Sequence, residues 1–283
     1  MIVGSAGGRL SLLDPDKGCL RPLEDSVQQA VGGSRGFFRG LPWSVKILEA
    51  AESEGALTGE CIDLSGPVEP PVKPEVLWGV GRSFPEHARE MGMKASIAFF
   101  VKSGSSVVGH MHPIILWSGE VDYEGEVALV VGGRLRHASP GEARKAVAGY
   151  TAANDATDRG LQRSMSWSIA KSLPTFGPIG PAVRLIDAGE DLASICVETL
   201  LNDVRVQRGC LGDMVEPPEY ILARLSSLVA LRPGDVVLMG TPPGVGASQN
   251  PPRYLRPGDT IEVRVSGLPP LVNKAVSPRR DQG

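Results

Sequence analysis

The chain has 283 residues, 42% hydrophobic and 22% charged, with a formal net charge of −3. That length suits one large domain or one domain with a small appendage, and the slightly acidic balance lacks the basic footprint of a nucleic-acid binder. With 35 Gly and 24 Pro but 5% aromatic residues, the composition favours many turns and short strands over long helices.

Met1–Leu10 has no basic segment followed by an apolar stretch, so a secretory signal is not expected. No apolar run approaches the ~20 residues that span a bilayer. The expected location is the cytoplasm. Weak strands are predicted at Met1–Val3 and Arg9–Leu13, and a helix around Ser44–Ala51. The stretch Gly66–Pro74 is too rich in proline for a helix or a central strand and reads as a stiff linker. A domain boundary is placed there, with a small N-terminal domain over 1–70 and the main domain over 71–283.

Val76–Gly81 reads as a short buried strand. Pro85–Gly92 reads as a short helix, with Pro in its first turn and Gly as its stop. Ala98–Lys102 is a further strand. Next comes Glu120-Val121-Asp122-Tyr123-Glu124-Gly125-Glu126, running into the apolar Val127–Val131. Read as one strand over 120–131, its side chains alternate with period two, so Glu124 and Glu126 share a face about 7 Å apart at Cα. Two like charges about 4 Å apart repel by roughly 4 kcal/mol at an effective dielectric of about 20. The spacing therefore fits an oxygen-ligand cation site, and it fits equally a solvated acidic strand start. Glu120 and Asp122 share the predicted face.

A helix is predicted over Pro140–Ala148, then strands at Ala182–Ile186, Ile195–Leu201, Val236–Met239 and Thr260–Val265, and a late helix at Ile221–Leu228. The tail Ser277–Gly283 is expected to fray. Cys19, Cys61, Cys196 and Cys210 are scattered without a CxxC, so they read as buried or partly buried free thiols. The element pattern argues for a β-rich core with few helices.

Five ordered segments then carry a resemblance. Phe84-Pro85-Glu86-His87-Ala88-Arg89-Glu90 resembles a "Y-x-x-H-x-x-E" helix, and Asp122–Glu126 with Val131-Gly132 resembles "DYEGEL…VIG". Gly149–Thr151 through Asn154–Gln162 resembles "GYT…ND-x-[ST]-x-R-D-x-Q". Lys171 with Thr175–Pro181 resembles "K-x-x-D-T-F-x-P-x-GP", and Leu231–Asp235 with Gly240–Gly246 resembles "L-x-PGD…GTP-x-GVG". Over about 75 to 275 the chain resembles the fumarylacetoacetate hydrolase family, in its 2-hydroxyhepta-2,4-diene-1,7-dioate isomerase and acylpyruvase-like branch.

The resemblance implies a mainly β (α+β) fold, a mixed β-roll catalytic domain with short helices, assembled as a homodimer. It implies one Mg²⁺ or Mn²⁺ per chain held by Glu124, Glu126 and Asp155, and it excludes Glu120 and Asp122 as ligands. Three carboxylates leave open positions on such an ion, which suits chelation of a 2-oxo acid and a metal-bound enolate. The implied activity is C–C bond hydrolysis, decarboxylation or keto–enol isomerisation of a 2-oxo or 2-hydroxydienoic acid. A sugar-acid dehydratase and a catalytically silent metal-binding member are the alternatives.

By the same resemblance Lys171 and Gln162 support the developing oxyanion, and His87 and Glu90 form a water-activating or proton-shuttling dyad. As a helical i,i+3 pair those two share a face. Thr241 is expected to donate to a substrate carboxylate. Arg82 and Lys102 are candidates for a distal acidic group, and Arg159 for charge compensation at the substrate site. His110 and His112 are not needed by this scheme. Ser83-Phe84 stands where the family has Asn-Tyr, Asp158 and Gly160 where it has Ala and Asp, and Pro174 where it has Asp.

Overall fold

A computed structural model of the chain describes residues 1–40, 43–58, 61–187 and 189–278. The chain is mainly β with short helices. Its larger sheet has 11 strands; the main path runs Ile62–Asp63, Cys19–Pro22, Arg9–Asp14, Ile2–Ala6, Gly177–Leu185, Val147–Asn154, Gly125–Val131, Val236–Leu238, Val76–Gly81 and Ala98–Ser103. The Val236–Leu238 and Val76–Gly81 pair is parallel and its neighbours in that path are antiparallel, so the sheet is mixed. Five strands make a second sheet, with Cys196–Leu201 paired on one side to Val204–Cys210 and on the other to Thr260–Val265.

The strand Gly125–Val131 is buried along its whole length, and its alternation explains why. Val127, Leu129 and Val131 face the second sheet and pack with Val197, Val263 and Val265. Ala128 and Val130 face the other way, into a cluster closed by Phe37, Phe38 and Leu48 from the first 50 residues. A strand covered on both faces reads as a continuous apolar run rather than an alternating one. Across the proline-rich segment, Ile2–Ala6 pairs with Gly177–Leu185, so the N-terminal strands extend the same sheet.

Several expected elements are present with shifted ends. The first strands are Ile2–Ala6 and Arg9–Asp14, and the first expected helix is Trp43–Ser53. The short helix is Pro85–Glu90 and the late one Pro218–Leu228. Two helices, Asp25–Val31 and Gly33–Arg39, have no counterpart in the sequence reading. Most of the expected frayed tail, 279–283, lies outside the described residues.

Two expectations are corrected. The acidic strand is not continuous over 120–131: it is split into Val121–Asp122, paired with Thr157–Asp158, and Gly125–Val131. The cause is Asp122, whose carboxylate accepts the backbone N–H groups of Tyr123 at 3.0 Å and of Gly246 at 2.8 Å, competing with ladder pairing. The four cysteines are not free thiols. Cys19 is bonded to Cys61 and Cys196 to Cys210, the second pair directly opposite one another on adjacent strands.

Candidate active site

The site forms where the end of one strand meets the start of another. Val147–Asn154 runs antiparallel to Gly125–Val131, with Gly125 opposite Asn154. One step beyond, the Asp155 N–H donates to the Glu124 carbonyl at 2.8 Å and the Glu124 N–H donates to Asn154 Oδ1 at 3.0 Å. This double tie brings Asp155 beside Glu124, while the pleat puts Glu126 on the same side. One carboxylate oxygen from each of Glu124, Glu126 and Asp155 lies within 4.8 Å of the others, and all three residues are buried.

Buried charges need partners, because the uncompensated transfer of an ion out of water is prohibitive. Lys171 Nζ reaches Glu124 Oε2 at 2.5 Å, Asp155 Oδ2 at 2.6 Å and Thr157 Oγ1 at 2.8 Å, which uses all three of its donors. Arg159 Nη2 lies 2.7 Å from Glu124 Oε1 and 2.8 Å from Asp122 Oδ2. Lys102 is fully buried behind the site, bonded to Asp155 Oδ1 and donating to the Phe176 carbonyl at 2.7 Å. Glu126 accepts the Gly240 N–H at 2.7 Å and pairs with no cation among the described residues.

Four buried carboxylates in this network thus face three buried cations. Burial raises the Glu124 carboxyl, yet Lys171 and Arg159 outweigh it and hold the group well below the usual range. Glu126 goes the other way: burial, then the charges of Asp155 and Glu124, push it well above. Burial drives Lys102 down in spite of Asp155. Lys171 is held up against burial by Asp155 and Glu124. A cluster of oxygen donors left short of positive charge fits a hard divalent cation, and Glu124, Glu126 and Asp155 are the residues that would hold it.

The three carboxylates open onto a cavity of about 380 Å³, also lined by His87, Lys171 and Thr241. His87 Nδ1 lies 2.8 Å from Glu90 Oε1. Glu90 in turn accepts the Gly244 N–H at 2.9 Å and the Ser248 hydroxyl at 3.0 Å, which docks the helix onto the Gly240–Gly246 loop. Burial opposes the charge on Glu90, but His87 and these donors hold its carboxyl below the usual range. Gln162 lines the cavity, and its Oε1 accepts from Arg159 Nη1 at 3.1 Å.

Arg82 also lines the cavity, in a left-handed backbone conformation with φ 60°. Its guanidinium carbon stands 5.9 Å from the Trp167 ring centroid. Its buried Nε has no hydrogen-bond partner among the described residues. Of the other lining cations, Arg159 and Lys171 serve the carboxylate cluster and Arg163 pairs with Glu120 at 2.5 Å.

Some expected residues have other partners than expected. Lys102 does not line the cavity: its ammonium is spent on Asp155 and the Phe176 carbonyl, so it is placed to hold a carboxylate rather than to meet substrate. The Thr241 hydroxyl donates to the Gly125 carbonyl at 2.9 Å and accepts from Gln207 Nε2 at 2.7 Å, so its proton is already committed. Phe84, where a tyrosine is usual, is buried in the core, and Ser83 donates to the Met239 carbonyl at 2.8 Å. Asp158 caps the helix Arg159–Ser164 by accepting the Leu161 N–H, which leaves Asp122 and Glu124 as the acidic partners of Arg159. His110 bridges the Val272 N–H at 3.1 Å and the Leu64 carbonyl at 2.8 Å, a structural tie. Gln207 went unnoticed in the sequence, where an isolated Gln in a strand carries no signal, and Thr157 stood there only as a motif position with no expected contact.

Residues 76–276 match the family model for the fumarylacetoacetate (FAA) hydrolase C-terminal domain. The mitochondrial oxaloacetate tautomerase FAHD2A of Homo sapiens is 34% identical over 214 residues, 73% of this chain and 68% of that protein. A fumarylacetoacetate hydrolase from psychrophilic Exiguobacterium antarcticum superposes with a TM-score of 0.80 at 29% identity, covering 98% of this chain and 99% of that one. A probable 2-hydroxyhepta-2,4-diene-1,7-dioate isomerase from Mycobacterium abscessus superposes with a TM-score of 0.83 at 27% identity, covering 99% of each chain.

Proposed function

The chain belongs to the fumarylacetoacetate hydrolase family and is an enzyme of it, and from that premise we propose that it interconverts the keto and enol forms of a short 2-oxo acid. The observation that carries this reading is one cavity holding both a carboxylate cluster short of positive charge and the His87–Glu90 pair. Mg²⁺ or Mn²⁺, one per chain, is the cation whose hard-oxygen preference suits Glu124, Glu126 and Asp155. When bound there it supplies Lewis acidity, polarising the keto oxygen of a chelating 2-oxo acid.

The chain's own residues do the rest. Hydrogen bonding of His87 Nδ1 to the Glu90 carboxylate places the ring proton on Nδ1 and leaves Nε2 as the base. His87 takes a proton from C3 of the keto acid, and the electron pair of that C–H bond becomes the enolate. Returning the proton to the 2-oxygen completes the enol, with no atom gained or lost. His87 lines the same cavity as the three carboxylates, as a shuttle next to the reacting atoms must. Arg82, the lining arginine with no acidic partner among the described residues, receives a second carboxylate of the substrate. The relative whose printed activity is oxaloacetate tautomerisation supports proton transfer on a 2-oxo dicarboxylate.

The second reading is hydrolysis of a C–C bond, in which the same His87–Glu90 pair deprotonates water. A panel of oxaloacetate and acylpyruvates decides between them. The protein with Mn²⁺ is expected to speed enol–keto relaxation of oxaloacetate, followed in the ultraviolet, and to lose that activity in EDTA. Cleavage products from an acylpyruvate by NMR, without tautomerisation, would favour hydrolysis. Inertness toward the whole panel would remove the proposal.

A further inference from the structure

Gln207 is buried, 2% exposed, and does not line the cavity, yet every hydrogen bond of its amide goes to an element that does. Its Oε1 accepts the Gly125 N–H at 3.0 Å. Its Nε2 donates to Thr241 Oγ1 at 2.7 Å and to the Pro242 carbonyl at 2.8 Å. Thr241 closes the ring by donating to the Gly125 carbonyl at 2.9 Å. Gly125 is the residue between Glu124 and Glu126, so its two peptide groups set the directions of both carboxylates.

The local backbone is shaped to deliver this amide. Thr199 pairs with Gln207 and Leu200 with Arg205, so Val206 is an extra residue, a bulge that re-aims the side chain after it. Gly125 has no room to move away: a Cβ there would stand 1.9 Å from Thr199 Oγ1. Gly244, which docks Glu90, is packed on the same bulge, its added Cβ 1.9 Å from the Val206 carbonyl. Only a side chain with both an acceptor and two donors at this reach satisfies Gly125, Thr241 and Pro242 together. Among side chains that is the chemistry of Gln.

We propose that Gln207 is a positioning residue, the brace that fixes the carboxylate-bearing strand against the Gly240–Gly246 loop and so sets the distance between the cation site and the loop that lines the substrate cavity. This rests on the proposed metal-dependent enolisation, because what it holds in register is that reaction's machinery. Sites built from separate strands lose rate steeply when their supporting contacts loosen.

The test uses Gln207→Met, close in volume and without the amide, and Gln207→Asn, which keeps the amide but falls one methylene short. Three readouts are taken on the intact protein: hydrogen exchange at Gly125, the Kd for Mn²⁺ alone by electron paramagnetic resonance, and the KM and kcat for oxaloacetate. The expected result, in either variant that folds, is at least tenfold faster exchange at Gly125, about tenfold weaker Mn²⁺ binding and a comparable rise in KM. Adding Thr241→Val to Gln207→Met should bring little further loss, since both act through one ring. Unchanged exchange at Gly125 overturns the proposal, and so does faster exchange with Kd and KM unmoved, which marks a merely structural role. Neither variant folding also overturns it, since Gln207 is then needed for the fold itself. A wild type inert toward every 2-oxo acid defeats the enzymatic reading, and the brace falls with it; an active wild type with indifferent variants defeats the brace alone.

Discussion

Glu126 is held by Gly240 and, among the described residues, by nothing positively charged: its Oε2 accepts the Gly240 N–H at 2.7 Å, in a cluster whose other two carboxylates are bonded to Lys171. One acid of the three is therefore built in while its counter-charge comes from outside the chain, which is what separates a cation site from a closed ion-pair network.

Replacing Glu126 by Gln removes that surplus charge at nearly constant shape. In EDTA the variant should melt within about 2 °C of the wild type or above it, because a single-sided buried charge contributes cost rather than stability. The wild type should gain about 2.7 kcal/mol at a Mn²⁺ concentration a hundredfold over Kd, and the variant should gain almost none. Glu124→Gln makes the contrast, since it strips Lys171 and Arg159 of a partner and should cost about 3 kcal/mol or more with no metal present. Calorimetric melts with and without Mn²⁺ read both. A Glu126→Gln protein strongly destabilised in EDTA would mean the carboxylate is compensated after all.

Lys102 acts on the site from behind. Lys102→Met leaves Asp155 with Lys171 as its remaining cation and should cost about 3 kcal/mol in urea unfolding. Pairing it with Asp155→Asn should recover much of that loss, because the charge left stranded is then gone as well. Additive penalties in the double variant would show that the two side chains stabilise the fold independently.

The reach of the sequence followed the physics of each contact. Period-two alternation put Glu124 and Glu126 on one face, and the structure has both in the cluster. Alternation alone also kept Asp122 on that face. The structure parts it from them because Asp122 turns its carboxylate onto the Gly246 and Ala247 N–H groups and Arg159, ending the strand there. Asp155 lies 29 positions beyond Glu126 and meets it only through antiparallel pairing, so it entered through family resemblance. Lys102 reads as any lysine at a strand end until burial reveals its partner. The cysteine pairs needed two register facts, Cys19 near Ile62–Asp63 and Cys196 opposite Cys210, that scattered spacing does not encode.

Acid should loosen the docking of Pro85–Glu90. A carboxyl whose folded pKa lies below its unfolded value, about 4.3, gives stability that is complete above that value and fades as pH falls through the folded one. Glu90 is such a group: burial opposes it, but His87, the Gly244 N–H and Ser248 outweigh burial. Exchange of the helix amides should accelerate as pH drops below about 4, and Glu90→Gln should show fast exchange already at neutral pH. Identical exchange profiles for the two proteins would remove Glu90 as the anchor.

Arg82 gives the sharpest test of substrate class. Its guanidinium lines the cavity with no acidic partner among the described residues, so an anionic ligand group would meet an uncommitted cation there. A hydrogen bond to a charged group is worth about 1.5–3 kcal/mol, or roughly ten- to a hundredfold in binding. Arg82→Met should therefore raise KM for oxaloacetate by that factor while leaving pyruvate enolisation, which offers no second carboxylate, nearly as in the wild type. Arg82→Lys should fall between, because an ammonium keeps the charge without the planar fork that matches a carboxylate. Deuterium exchange at C3, followed by NMR for both acids, measures the two rates on one scale. Equal losses for the two substrates would assign Arg82 to the shape of the cavity, through its contact with Trp167, rather than to the recognition of a distal acid.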